Sequence, residues 1–179
     1  MKPTGIVRRI DELGRVVIPK EIRRTMRIRD GEPLEIYVDR EGEVILKKYA
    51  PINDLGQFAK EYTESLNEVL GHVVCVADKD EIIAVTGRYK KELLNKSIGS
   101  AITDIINSRE SKVINQEHSI TDDQFVFSSS VVSPIIANGE SIGAVIITTK
   151  EAGVKMGDLE NKLASTAASF LAKQMESSR

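Results

Sequence analysis

The apolar positions follow two different rhythms. Between residues 5 and 48 they come in short runs of strand length. "GIVRRI" (5–10) alternates, "GRVVI" (14–18) is β-branched, and "LEIYV" (34–38) and "EVILKK" (43–48) alternate again, with "DREGE" as the connection of a hairpin. Pro19 suits the first turn of a helix, where no N–H is needed, so "PKEIRRTM" reads as one short helix. The order is β-β-α-β-β. From residue 53 the period lengthens. Asn53 or Asp54 can cap a helix in which Leu55, Phe58, Ala59, Tyr62, Leu66, Val69 and Leu70 share a stripe, and Gly71 ends it. "HVVCVAD" and "EIIAVTG" then predict a hairpin, followed by a polar helical section, "YKKELLNKSIGSAITDIINSRE". "KVINQE", "QFVFSSSVVSPII" and "SIGAVIITTK" predict three more strands, the last two joined by the turn "ANGE". A final helix is expected from Met156 to Met175, with Met156, Leu159, Leu163, Ala167, Phe170 and Leu171 as its apolar stripe and a second, small-residue side at Ala164, Ser165, Ala168, Ser169 and Ala172.

This order is α+β, with helices flanking and interrupting an antiparallel sheet. It divides into residues 1–50, a linker at 51–55 and residues 56–179. Fifty residues make a marginal core, because so little of a small chain is buried. The apolar side chains of the first region are too many for a thin sheet with one wet face, so a second chain is expected to cover the excess. The two-sided last helix and the helix at 54–70 offer a further contact between chains. A dimer through residues 1–50, extended to a tetramer through helices 54–70 and 156–175, is the assembly this predicts.

Composition and charge narrow the class of function. The chain has 179 residues, 41 % apolar and 29 % charged, with no apolar run of bilayer length. The N-terminus lacks the apolar core of a secretory signal, and the single cysteine, Cys75, rules out an intrachain disulfide or a multi-cysteine zinc site. A cytoplasmic protein with no membrane partner is expected. Net charge is −2, yet residues 1–29 carry nine Lys and Arg against three acids. Such asymmetry points to a polyanionic partner, and the preference for arginine suits phosphates and guanine edges. The opposing reading is a solvated basic face, or arginines paired with Asp11, Glu12 and Glu21. No nucleophile elbow, P-loop or HExxH motif occurs, so no catalytic residue, enzyme activity, metal or cofactor is expected. His72 and His118 stand apart from any Cys/His cluster and read as structural, and Cys75 reads as a small buried hydrophobe.

"GIVRRIDELGRVVIPKEIRRTMRIRDGEPLEIYVD" (5–39) resembles the swapped-hairpin DNA-binding domain of the AbrB-type transition-state regulators: the glycine, the aliphatic triplet, the proline and the paired arginines match in order. The rest of the chain resembles a GAF domain in element order. The resemblance implies a barrel made by two chains that exchange hairpins, bound to double-stranded DNA. Arg8, Arg15, Arg23 and Arg24 are then the DNA-facing residues, with Lys2, Arg9, Lys20 and Arg27 as helpers. It also implies a nucleoid-associated regulator, activator or repressor, of late sporulation genes. For the GAF-like region it implies sensing or assembly, with Phe125, Phe127, Ser128, Ser130 and Ser133 as pocket residues for an unidentified small molecule. The opposing reading of those five packs the two rings on one sheet face and turns the serines to solvent. Two rival functions are an antitoxin-type DNA-binding autoregulator and a GAF-type metabolic enzyme with a DNA-binding appendage.

Overall fold

The computed structural model describes residues 4–49, 52, 56–123 and 125–177. Contacts divide the chain into two units, 1–49 and 50–179.

In the first unit, helix α1 is Lys20–Thr25 and strands β1 (Leu34–Val38) and β2 (Val44–Lys48) pair antiparallel, Leu34 opposite Lys48. Pro19 sits just before the helix rather than inside its first turn. The helix ends where Arg27 takes a left-handed conformation (φ 53), with the Ile28 N–H donating to Arg23 O at 2.8 Å. That closure is normally given to glycine. The strands expected at 5–10 and 14–18 are absent from the single chain. The reason is visible in exposure: Ile6, Val7, Ile10, Leu13, Val16 and Val17 have no sheet to join and stand 40–85 % open. Among the described residues of this unit only Pro19 is buried, and no aliphatic or aromatic side chain is.

The second unit is a five-stranded antiparallel sheet in the order β4-β3-β9-β8-β5. Its strands are β3 (Val73–Ala77), β4 (Ile82–Thr86), β5 (Lys112–Ile114), β8 (Ser129–Ala137) and β9 (Glu140–Thr149); β6 (His118–Ser119) and β7 (Val126–Phe127) form a separate short ladder. Both faces of the sheet are covered, which is why β3 reads as an unbroken apolar run. Val74, Val76, Val145 and Ile147 turn toward helices α2 (Gly56–Leu70) and α5 (Asp158–Ser177). Cys75, Ala77, Ala144 and Ile146 turn the other way, onto Leu93 of α3 (Lys90–Leu93) and Ile102, Ile105 and Ile106 of α4 (Ser100–Ser108). The polar helical section is therefore two short helices. β8 and β9 are joined by Asn138 (φ 49) and Gly139 (φ 77), the two positive φ values of a type I′ hairpin. Gly143 of β9 lies so close to β3 that an added Cβ would sit 2.1 Å from Ala77 O.

Several expectations shift in detail. Of the α2 stripe, Ala59 and Leu66 are buried with Thr63, while Phe58 and Val69 are 44 % and 77 % exposed. The small-residue side of α5 faces its own sheet: Ala164, Ala168 and Ala172 are buried there with Ala167, Leu171 and Met175, and Leu159 is exposed. Small side chains let the helix lie close on β8, where Val131 and Ile135 supply the bulk. Leu55 and the capping residues Asn53 and Asp54 lie outside the described residues. Of the expected linker only Ile52 is described, and it is buried in the core of the second unit.

Candidate nucleic-acid interface

Two turns of the first unit are built alike. In "DELGR", Asp11 Oδ1 accepts the N–H groups of Leu13 and Arg15, each at 2.9 Å, the Asp11 N–H donates to Arg15 O at 3.0 Å, and Gly14 has φ 76. In "DREGE", Asp39 Oδ1 accepts the N–H groups of Glu41 and Glu43 at 3.0 and 2.9 Å, the Asp39 N–H donates to Glu43 O at 3.1 Å, and Gly42 has φ 83. The second joins the hairpin strands β1 and β2. The first has the same closure, so residues 5–18 carry the turn of a hairpin whose arms lack partners. The D-x-x-G spacing common to the two segments is the sequence signal for the turn, an Asp side chain bonding its own backbone two residues on.

The basic side chains are held to different degrees. Arg15 Nε donates to Asp11 Oδ2 at 2.8 Å in the open. The Arg15 N–H and guanidinium hold the Asp11 carboxyl below its ordinary range. Arg23 pairs with Asp30 and is half-buried, and its Nε has no hydrogen-bond partner. Arg24, next along α1, is exposed and makes no ion pair among the described residues. Arg9 and Lys20 are exposed too, and Arg8 donates only to the neighbouring Val7 carbonyl at 3.3 Å. Arg27 is the residue that takes the left-handed closure of α1. Lys2 lies outside the described residues. Of the four principal arginines, Arg23 and Arg24 are set adjacent by α1 and Arg15 is fixed by the turn.

Of the five residues expected to form a pocket in the second unit, Phe127, Ser130 and Ser133 are buried and Phe125 and Ser128 are half-buried. Two clefts open on that unit. One of about 950 Å³ runs along α4 and β5 past Ser108, Lys112, Asn115 and His118. The other, of about 470 Å³, lies among Asn67, His72, Arg88, Tyr89 and Lys150. Phe125, Phe127, Ser128, Ser130 and Ser133 line neither. Ser130 and Ser133 do not turn to solvent, because β8 is covered on both faces, and the hydroxyls of all three serines find partners within the fold. Ser128 Oγ reaches the carbonyls of Thr149 and Glu151 at 3.0 Å, and Ser133 Oγ meets Ser111 Oγ at 2.8 Å. His118 donates from Nδ1 to Gln116 O at 2.7 Å, and its Nε2 is hydrogen-bonded to the Ser130 hydroxyl, also at 2.7 Å. Burial pushes the Cys75 thiol up to about 12. Among the described residues no three of His, Cys, Asp and Glu gather as a metal set, and no helix is long and apolar enough to cross a membrane.

Comparison with known proteins agrees with this division. The family described as stage V sporulation protein T C-terminal, transcription factor, matches residues 54–176, and the family described as antidote-toxin recognition MazE, bacterial antitoxin, matches residues 7–54. The chain is 55 % identical to stage V sporulation protein T of Bacillus subtilis over 98 % of its own length and 99 % of that protein. It is 67 % identical to the transition state regulatory protein AbrB of the same organism over 51 residues, 28 % of this chain and 52 % of that one. Among solved structures, the second GAF domain of DevS from Mycobacterium smegmatis superposes with a TM-score of 0.57 at 13 % identity, covering 68 % of this chain and 93 % of that domain. The type II free methionine-R-sulfoxide reductase of Thermoplasma acidophilum gives 0.56 at 14 % identity, covering 70 % and 96 %. Likeness at that identity fixes the GAF fold and nothing of the chemistry. An AbrB-like unit followed by a GAF fold, matched end to end by one relative, places the chain in the stage V sporulation protein T family of transcription factors.

Proposed function

We propose that the protein binds double-stranded DNA as a homodimer through residues 1–50 and regulates late sporulation genes from the cytoplasm, on the nucleoid. The observation that carries this is the state of the first unit: eleven large apolar side chains stand 40–85 % exposed, in a segment whose residues 1–29 hold nine Lys and Arg. Burying a Val, Leu or Ile contributes about 1.5–3 kcal/mol. At about 2 kcal/mol each and somewhat over half exposed, eleven such residues make roughly 12 kcal/mol available per chain, or about twice that per pair. Association costs about 4–15 kcal/mol, so a second copy of the same unit is a favourable cover. The hairpin-type turn at Asp11–Arg15 supports an exchange in which the arms at 5–10 and 14–18 pair with the partner chain. A two-fold axis then doubles every arginine, and Arg8, Arg15, Arg23 and Arg24 make an eight-guanidinium face, with Lys2, Arg9, Lys20 and Arg27 at its margins. Phosphate contacts position such a face; readout by DNA shape as well as by bases gives degenerate sites.

The second unit, in this reading, senses a signal or assembles dimers into tetramers through helices 54–70 and 156–175. The antitoxin reading needs a tail that folds on its toxin. Here the tail is a sheet packed on both faces. The test is selection of genomic fragments by the purified full chain. Wild type is expected to enrich a family of related sites, Arg23→Ala/Arg24→Ala to lose them, and deletion of residues 54–179 to change their pattern. Equal enrichment by wild type and the double variant would overturn the DNA interface.

A further inference from the structure

Four Phe and four Tyr are spread over 179 residues, and three of these eight rings converge on one lysine. Tyr89 and Phe125 meet edge to face at 5.2 Å, Phe125 and Phe127 at 5.3 Å, and Tyr89 and Phe127 at 6.3 Å. Lys150 Nζ lies 3.3 Å from the Phe125 centroid, 5.2 Å from Tyr89 and 5.6 Å from Phe127. Lys150 is exposed and makes no ion pair among the described residues. Tyr89 holds its ring there from a left-handed backbone (φ 66), which bulky side chains rarely adopt. The cluster lies at the edge of the core, Phe127 buried and Tyr89 and Phe125 half-buried, and backbone strain of this kind clusters at functional sites.

An ammonium facing several ring faces is the arrangement by which proteins recognise alkylated ammonium ions. We propose that Tyr89, Phe125 and Phe127 form a binding site for a small quaternary ammonium compound, with Lys150 as the resident occupant that such a ligand displaces. The direction of exchange follows from hydration. A primary ammonium is a compact, strongly hydrated charge that gains from returning to water. A quaternary ammonium carries no N–H and loses less on leaving water, so the rings favour it. The route in is the 470 Å³ cleft, which Tyr89 and Lys150 line together. Lys150 directly follows β9, which ends at Thr149, so its release frees the chain where the sheet hands over to the segment before α5. This inference rests on the sensory reading of the second unit and names the chemistry of its ligand.

The test uses the full chain, choline as the probe and 3,3-dimethylbutanol as its neutral isostere, with calorimetry and the Tyr89 ring resonances as readouts. Wild type is expected to bind choline weakly, because Lys150 competes from within the same molecule. Lys150→Ala should bind at least tenfold more tightly, and adding Phe125→Leu should abolish the gain at an unchanged melting temperature. The isostere should bind neither protein. Equal affinity in wild type and Lys150→Ala, equal binding of choline and the isostere, or a Phe125→Leu variant that still binds would each overturn the site. Choline binding that leaves DNA affinity unchanged would support the cage and overturn the sensory reading of the second unit. DNA binding lost in Arg24→Ala while choline still binds would show the two sites to be separable.

Discussion

Replacing Arg24 with alanine isolates one charge of the proposed interface. Arg24 is exposed on α1 and tied to no carboxylate among the described residues, so its removal leaves no orphaned partner, unlike Arg23, which would strand Asp30. A dimer carries two copies. If each guanidinium neutralises one phosphate, the slope of log K against log salt should become shallower by about 1.8, at about 0.9 per phosphate. Extrapolated from molar salt to about 0.1 M, the same slope change predicts a loss of affinity of roughly sixty-fold. Fluorescence anisotropy on a labelled duplex, repeated over a range of salt, measures both quantities. Arg24→Lys should keep the slope and lose only the planar, two-pronged part of the contact. An Arg24→Ala slope equal to that of wild type would refute the phosphate contact, and equal affinity besides would remove α1 from the interface.

Three further outcomes follow from local geometry. Arg27→Gly should stabilise the first unit by up to about 1 kcal/mol in denaturant melts, since glycine takes the left-handed closure without strain, while weakening DNA binding if Arg27 helps hold the duplex; unchanged stability would contradict the strain. Gly143→Ala should cost about 3 kcal/mol or more, because its Cβ would meet the Ala77 carbonyl, a backbone atom that cannot turn aside; a melting temperature within a degree of wild type would contradict the close approach of β9 to β3. Cys75 should react with a thiol reagent at pH 8 only after unfolding. Its thiol is raised by burial, so the folded state favours the neutral form, and stability should fall as pH rises beyond the ordinary thiol value toward about 12; rapid labelling of the native protein would contradict this.

The second unit was largely legible in the sequence because its signals are local. The apolar run at Val73–Ala77, the Asn138-Gly139 turn and Gly71 at the end of α2 each state their own geometry. The apolar stripe of α5 was legible except at Leu159, which is exposed; that the small side at Ala164, Ala168 and Ala172 is buried on the same sheet was not, because small side chains do not announce which neighbour they pack against. The serines of β8 misled for a related reason. Alternating polar residues usually mark a wet face, but here covering elements supply partners such as His118 and Ser111. In the first unit the pattern at 5–18 announces strands that the single chain does not form. Its arginines were legible as charge, yet the ring cluster around Lys150 was not, since Tyr89, Phe125 and Lys150 are brought together only by the fold.

The central claim is that two copies of the first unit complete each other. Mixing isotope-labelled with unlabelled full-length chains and recording filtered NOEs tests it directly. Contacts between chains are predicted for the methyl groups of Ile6, Val7, Ile10, Val16 and Val17, reaching Ile36, Val38 and Val44 across the dimer. If all NOEs from these methyls arise within one chain, or the methyls show only solvent, the account is contradicted.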